Sequence, residues 1–172
     1  MKERPLVILF LLIVIAGCQR SAWREFNLSE GGFSILMPGK PSKQIVKTNS
    51  AIGPIDFFLL TLEQEDVVYM VGYSDYPDTF LQSNTQDSLL DIACYGAVVN
   101  LKGNLVSRSV ISINEHPGRE MKIEQANGKT IYLTRLFLVG RRLYQVTVLT
   151  LKRKEISNDD KKFLDSFTLL EK

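Results

Sequence analysis

Two stretches of this 172-residue chain are apolar on both of the faces that a β-strand presents, and no other feature restricts its architecture as strongly. Side chains alternate along a strand, so Ile55, Phe57 and Leu59 fall on one side while Phe58, Leu60 and Leu62 fall on the other. Ile131, Leu133 and Phe137 are opposed in the same way to Leu136 and Leu138. A sheet built on such strands carries apolar surface on both sides and has to be covered on both.

The rest of the pattern supplies neighbours and covers. Residues 33–37 alternate loosely and are stopped by Pro38-Gly39-Lys40-Pro41. Strands follow over 44–48, 55–63 and 67–74, separated by turns at Gly53-Pro54 and Glu65-Asp66, and Asp75-Tyr76-Pro77-Asp78 closes this meander. Ser83 and Gln86 have the spacing of a capping box, and Leu90, Ala93, Cys94, Ala97 and Leu101 form one stripe, which predicts a helix over 86–101 stopped at Gly103. Gly96 inside it costs roughly 0.8–1.0 kcal/mol relative to alanine, which suggests a close backbone approach.

Further strands are expected over 105–113, 119–125, 129–139 and 143–151. The turns between them are placed at Glu115-His116-Pro117-Gly118, Asn127-Gly128 and Gly140-Arg141. In 119–125, Glu120, Lys122 and Glu124 alternate with Met121, Ile123 and Gln125, so one face is wet. Ser157, with Asp159 and Asp160 behind it, starts a short terminal helix that buries Phe163, Leu164 and Phe167. The fold class is therefore α+β, an antiparallel sheet with helices packed on it, and 45% hydrophobic composition provides one core.

Lys2 and Arg4 precede an apolar run from Leu6 to Ala16, whose 11 residues fall short of the roughly 20 needed to span a bilayer. The run reads as a signal peptide. Ile15-Ala16-Gly17-Cys18 resembles the lipobox of bacterial lipoproteins, in which the cysteine thiol receives a diacylglycerol. The resemblance implies residues 1–17 as signal peptide, lipidated Cys18 with a tether to residue 32, and one domain over 33–172. It also implies a lipid-anchored address in the bacterial cell envelope. Gln19 stands where some bacteria place an aspartate for inner-membrane retention, so an outer membrane is favoured where the host has one. The tether is at most about 46 Å long at roughly 3.3 Å per residue, and Trp23, Phe26 and Leu28 within it are expected to pack on the domain.

Three phrases carry a second resemblance: Met37-Pro38-Gly39-Lys40-Pro41, the run from Arg135 through Gly140-Arg141-Arg142-Leu143-Tyr144, and Phe163-Leu164-Asp165-Ser166-Phe167. Together with the order of elements they resemble the Mog1/PsbP-like domains over residues 33–170. That likeness implies an α/β/α sandwich whose known members mostly bind other proteins, among them an extrinsic photosystem II protein, a Ran-binding nuclear import factor and bacterial lipoproteins. The fold shares no catalytic motif, so no family active site carries over.

The residues themselves offer little chemistry. His116 is the single histidine and Cys94 the single cysteine beyond Cys18, which excludes a multi-histidine metal site and a disulfide framework. Nucleophile-elbow and phosphate-loop motifs do not occur, and the carboxylates at Glu63, Glu65, Asp66, Asp75 and Asp78 lack the spacing of a calcium loop, so no metal or cofactor is expected. Net charge is +2, and the basic clusters Arg141-Arg142 and Lys152-Arg153-Lys154 lie at opposite ends of one strand, so no nucleic-acid groove is expected. The candidate binding loop contains Tyr73, Asp75, Tyr76 and Asp78, and Arg141 and Arg142 are candidate basic contacts for an acidic protein or lipid. The leading reading is a noncatalytic accessory module that binds a protein near the membrane. An envelope hydrolase would require His116, Cys94 or paired carboxylates to converge, and a carrier of small apolar ligands would require a cavity lined by Phe57, Phe58 or Phe137.

Overall fold

The strands with two apolar faces lie inside a seven-stranded antiparallel sheet, and different layers cover the two sides of residues 131–139, whereas in residues 53–63 only the Phe58, Leu60 and Leu62 face joins a core and Ile55, Phe57 and Leu59 stay half-exposed, because the helical cover does not reach that end of the sheet. The computed structural model describes residues 22–50, 53–126, 128–151 and 155–170. Cys18 and the Lys152-Arg153-Lys154 cluster lie outside them.

In chain order the elements are β1 (Arg24–Leu28), β2 (Phe33–Met37), β3 (Ser42–Ser50), β4 (Gly53–Glu63), β5 (Val67–Asp75), α1 (Asp78–Gln82), α2 (Gln86–Leu101), β6 (Gly103–Ile113), β7 (His116–Gln125), β8 (Ile131–Val139), β9 (Arg142–Thr150), α3 (Asn158–Asp165) and β10 (Thr168–Leu169). The large sheet has the order β3-β4-β5-β9-β8-β7-β6. Two meanders are thus joined at the centre, where β5 and β9 pair from Val67↔Thr150 to Asp75↔Arg142. The path from β5 out to the far edge at β6 runs through α1 and α2.

On one side, Tyr69, Val71, Tyr73, Phe137, Val146 and Val148 are buried under a small sheet, β1-β2-β10, together with Phe163, Leu164 and Phe167 from α3 and its end. On the other side, α2 lies over β6, β7 and β8 and buries Leu89, Leu90 and Cys94 against Met121, Ile123, Leu136 and Leu138. The expected α+β class with an antiparallel sheet between covering layers is what the chain forms, and the small sheet is the part of the cover that sequence pattern left out.

Several local expectations change. The segment read as a tether contributes β1, which pairs with β2 from Arg24↔Met37 to Leu28↔Phe33, so the folded body begins near Arg24 rather than Phe33. Trp23, Phe26 and Leu28 do pack on it. Helix α2 has the predicted bounds, but Thr85 is its N-cap, accepting from the Ser88 amide. Ser83 instead ends the unpredicted short helix α1 and donates back to the Thr79 carbonyl. In α3 the capping box is present, with Ser157 and Asp160 each accepting from the other's amide.

The turn before β7 is made by Asn114 and Glu115, both at positive φ, and His116-Pro117-Gly118 already belongs to the strand. Gly118 lies opposite Phe137, and a Cβ there would meet the Leu136 carbonyl oxygen at 2.5 Å and the Phe137 ring at 2.6 Å. Gly96 is the reverse case: nothing lies within 4 Å of a Cβ at that position, so the expected close approach is not made. The two glycines should therefore respond to alanine with opposite signs. Gly118→Ala is expected to destabilise by about 1–3 kcal/mol through overpacking. Gly96→Ala is expected to stabilise by up to about 1 kcal/mol through helix propensity. Urea unfolding of the two variants checks both, and the same sign for the pair would contradict this packing.

Candidate functional site

The charged residues singled out in the sequence turn out to be one another's partners. Because Asp75 and Arg142 face each other at the end of the β5–β9 ladder, the guanidinium can grip the carboxylate with two nearly parallel bonds. Arg142 Nε donates to Asp75 Oδ1 at 2.7 Å and Nη2 donates to Oδ2 at 2.9 Å. Nη1 donates to the carbonyls of Glu30 and Gly31 at 3.0 and 3.1 Å, and the Tyr144 hydroxyl donates to the Gly31 carbonyl at 2.7 Å. The loop joining β1 to β2 is thereby fastened to the large sheet. Arg141 pairs with Asp78 at 3.1 Å on the exposed side of the same corner, while the Tyr76 amide continues the ladder by donating to the Arg141 carbonyl.

The tyrosines of this corner do not form an exposed recognition loop. Alternation along β5 sends Tyr73 into the layer under the small sheet, where its ring stacks on Phe58 at 4.7 Å and carries the Arg142 guanidinium 4.3 Å from its centre. Tyr76, beyond the strand end, enters the opposite layer and packs against Phe80 at 5.6 Å. Burial raises the pKa of both hydroxyls, so both keep their protons. Of the four residues expected on a binding loop, Asp78 remains well exposed but paired, Asp75 is partly covered and paired, and the two rings are buried. The physical reason is that a tyrosine ring gains more from an apolar layer within reach than from water.

The pair that a hydrolase would need is not assembled. Cys94 is buried on the sheet-facing side of α2, and that burial pushes its thiol pKa up, away from the reactive thiolate. His116 opens β7 and has the parity of Gly118 and Glu120, the face opposite to Arg119, Met121 and Ile123, which point at α2. The two therefore belong to opposite faces of the sheet. Among the described residues, no three of His, Cys, Asp or Glu are grouped as a metal site.

Sequence pattern missed a polar junction between α2 and the strands below it. Arg119, itself buried, donates from Nη2 to Asp87 at 2.8 Å and from Nη1 to the Gly118 carbonyl, and its Nε lies 3.4 Å from Asp91. Arg108 of β6 reaches the same Asp91 at 3.2 Å. These contacts hold the helix against the edge of the sheet. They also frame its outer surface, where Ile92, Tyr95 and Val99 stand exposed along one ridge of α2, Tyr95 by 73%. On β6, Leu105 and Val110 share the face of Arg108, and Val106 sits at a bulge; all three are exposed, Val110 by 76%. The signal for this patch was present as apolar residues outside the helix's buried stripe.

No family model matches the chain and no curated protein matches it in sequence. Among solved structures it is similar to cyanobacterial PsbP, CyanoP, from Synechocystis, with a TM-score of 0.61 at 14% identity over 92% of this chain and 98% of that one. A Pseudomonas aeruginosa protein of unknown function aligns over 80% of this chain and 85% of its own at 14% identity, with a TM-score of 0.33, too low to bear on the fold. The fold of this chain is that of a PsbP-like domain.

The Arg142 hydrogen bond holds the Asp75 carboxyl below the usual carboxylate range. A depressed carboxyl pKa contributes stability that is complete above the unfolded value near 3.9 and is lost as pH falls through the folded value. Asp75→Asn should therefore cost about 1 kcal/mol at pH 7, discounted for the partial exposure of the pair. The cost should shrink as the pH drops below about 4. Denaturant titrations of both proteins between pH 2.5 and 7 measure the gap, and a gap that does not change with pH would contradict this role.

Proposed function

We propose that this chain is a noncatalytic accessory module, tethered to a bacterial envelope membrane by lipid on Cys18, that binds a protein partner through the outer surface of α2 and the edge strand β6. The observation that carries the reading is the apolar surface itself. Six large apolar side chains, Ile92, Tyr95 and Val99 on the helix and Leu105, Val106 and Val110 on the strand, stand exposed on two elements tied together through Asp91 and Arg108. Surfaces of this kind, rimmed by charge, mark sites of protein or membrane contact. The edge strand adds backbone donors and acceptors on its outer side, with the bulge between Leu105 and Ser107 limiting how far an added strand can extend.

Support for the tether comes from the Lys2/Arg4 start, the apolar run and the Ile15-Ala16-Gly17-Cys18 phrase. With Trp23 packed on the body, four residues, Gln19 to Ala22, lie between it and Cys18, at most about 13 Å at roughly 3.3 Å per residue. A body held that close meets partners in or beside the membrane. Two or three acyl chains, at about 0.8 kcal/mol per buried methylene, would anchor it firmly. An outer-membrane address, favoured by Gln19, belongs to the same reading. The burial of Cys94 and its separation from His116 speak for binding rather than hydrolysis.

Chemical crosslinking in the native host membrane, followed by mass spectrometry of the recovered chain, tests both parts. Val99→Asp, at an exposed site, should remove a reproducible partner adduct while leaving the unfolding free energy of the chain within about 0.5 kcal/mol of wild type. Cys18→Ala should abolish the acyl mass and shift the chain out of the membrane fraction. Adducts unchanged by Val99→Asp would rule out the face, and membrane partition unchanged by Cys18→Ala would rule out the tether.

A further inference from the structure

The direction of β1 decides which end of the body a lipid on Cys18 would hold against a bilayer. The strand runs from Arg24, opposite Met37, to Leu28, opposite Phe33. Its far end lies beside the Glu30-Gly31 turn that Arg142 and Tyr144 fasten, so the chain enters the fold at the end away from that corner. There the half-buried Trp23 ring meets Tyr69 edge-on at 6.3 Å, and Lys162 Nζ lies 4.5 Å from its centre. Tyr69 is opposite Val148, which places the ring where β5 begins and β9 ends.

Other segments converge on the same end. Leu151, just after β9, donates its amide to the Asp66 carbonyl of the β4–β5 turn at 3.0 Å, yet its side chain is 38% exposed. Gln64 of that turn donates to the Pro38 carbonyl at 3.4 Å, which brings the turn carrying exposed Lys40 alongside. Tryptophan is favoured at the level of lipid headgroups, where its ring is half in apolar surroundings and half in water. The Lys162 ammonium beside the ring is a donor suited to a lipid phosphate. Charges of both signs stand at this end, Arg24, Lys40 and Lys162 against Glu63, Glu65 and Asp159, so an anionic lipid has no marked advantage over a zwitterionic one.

We infer that the end of the body formed by Trp23, Leu151 and the Pro38–Pro41 turn rests on the bilayer at headgroup level, with the Asp75–Arg142 corner furthest from it. The inference rests on the lipid anchor proposed above and is independent of the α2–β6 surface. Two lengths support it. The four residues from Gln19 to Ala22 span at most about 13 Å, whereas the nine residues of β9 carry the Arg142 corner about 30 Å along the sheet. A bilayer holding Cys18 therefore meets the Trp23 end and is out of reach of the opposite one. The same placement stands β6 upright, because Gly103 is opposite Gln125, Glu124 opposite Ile131 and Ile131 opposite Thr150. Leu105 and Val106 then lie near the headgroups, and Val110 rises up to about 23 Å above Gly103 at roughly 3.3 Å per residue.

Trp23 is the only tryptophan, so a single indole can be moved to report contact. In a Trp23→Phe chain, Leu151→Trp, Ile45→Trp and Val110→Trp place it at exposed sites on the inferred end, on edge strand β3 and high on β6. The full acylated chains are purified from host membranes and reconstituted in phosphatidylcholine vesicles, with and without a lipid bearing a nitroxide on its headgroup. Intact mass confirms the acyl chains and near-UV circular dichroism the fold. Where Trp23→Phe does not fold, the same three substitutions are made in the Trp23 chain and read as the difference from wild type. Quenching of Leu151→Trp is expected to exceed that of Val110→Trp several-fold, with Ile45→Trp between them, and the order should survive exchange of part of the lipid for phosphatidylglycerol. Strongest quenching at Ile45→Trp would put the bilayer against β3, and strongest quenching at Val110→Trp would put it against β6; either overturns the inference. Equal quenching at all three would show a body turning freely on its tether and would overturn it too. Absence of acyl mass would end the tether and the orientation together, whereas an acylated chain with Leu151→Trp unquenched would end the orientation alone.

Discussion

A sheet with two apolar faces cannot stand alone, and the two covering layers of this structure answer that constraint over its centre and over β8. Its centre is the β5–β9 ladder, where Val71, Val146 and Val148 have no exposure at all. Neither strand could end a sheet or face water. The chain meets the requirement with unlike covers, a helix over β6 to β8 on one side and a three-stranded sheet with α3 on the other. The asymmetry has consequences at both ends, because a single helix and a three-stranded sheet leave different margins uncovered.

Those margins are where the proposed contacts fall. On the helix side α2 covers β6 to β8, so what remains is its outer ridge, the adjoining edge of the sheet and the half-exposed Ile55, Phe57 and Leu59 of β4. On the small-sheet side the cover is held down at one corner by Arg142 and Tyr144, both reaching the carbonyls of the Glu30-Gly31 turn. Between that clamp and edge strand β3 the layers part, and a cleft forms over Phe58 and Tyr73. A single clamp thus both closes the fold and fixes one wall of the opening. Charge at the corner is spent internally, which is why Arg141, Arg142, Asp75 and Asp78 contribute more to holding the turn than to attracting a partner.

What could be read from the sequence follows how local each determinant is. Helix α2 was legible to the residue because its apolar stripe and breakers lie within one window, and α3 because Ser157 and Asp160 sit three apart. Strands β4, β8 and β9 announced themselves by density of apolar residues. Strand β1 did not, since Arg24-Glu25-Phe26-Asn27-Leu28 has only two apolar residues and gains its place from pairing with β2. The corner was legible as a list of residues but not as a structure. Asp75 and Arg142 are 67 residues apart, and only the register of β5 on β9 shows that they bind each other. The tyrosines were misplaced for a related reason: parity put Tyr69 and Tyr73 on one face, but whether that face meets water depends on the small sheet, formed from segments far away in the chain.

The proposed cover of the α2–β6 surface by a protein in the native membrane is open to a direct measurement. Hydrogen exchange read by mass spectrometry, comparing the chain in native membranes with the purified chain in lipid nanodiscs, examines that surface without altering a residue. Amides of residues 103–113 at the edge strand should exchange more slowly in the native membrane, while those of residues 42–47 at the opposite edge should not change. Identical exchange over 103–113 in the two settings, or slowing confined to 42–47, would contradict it.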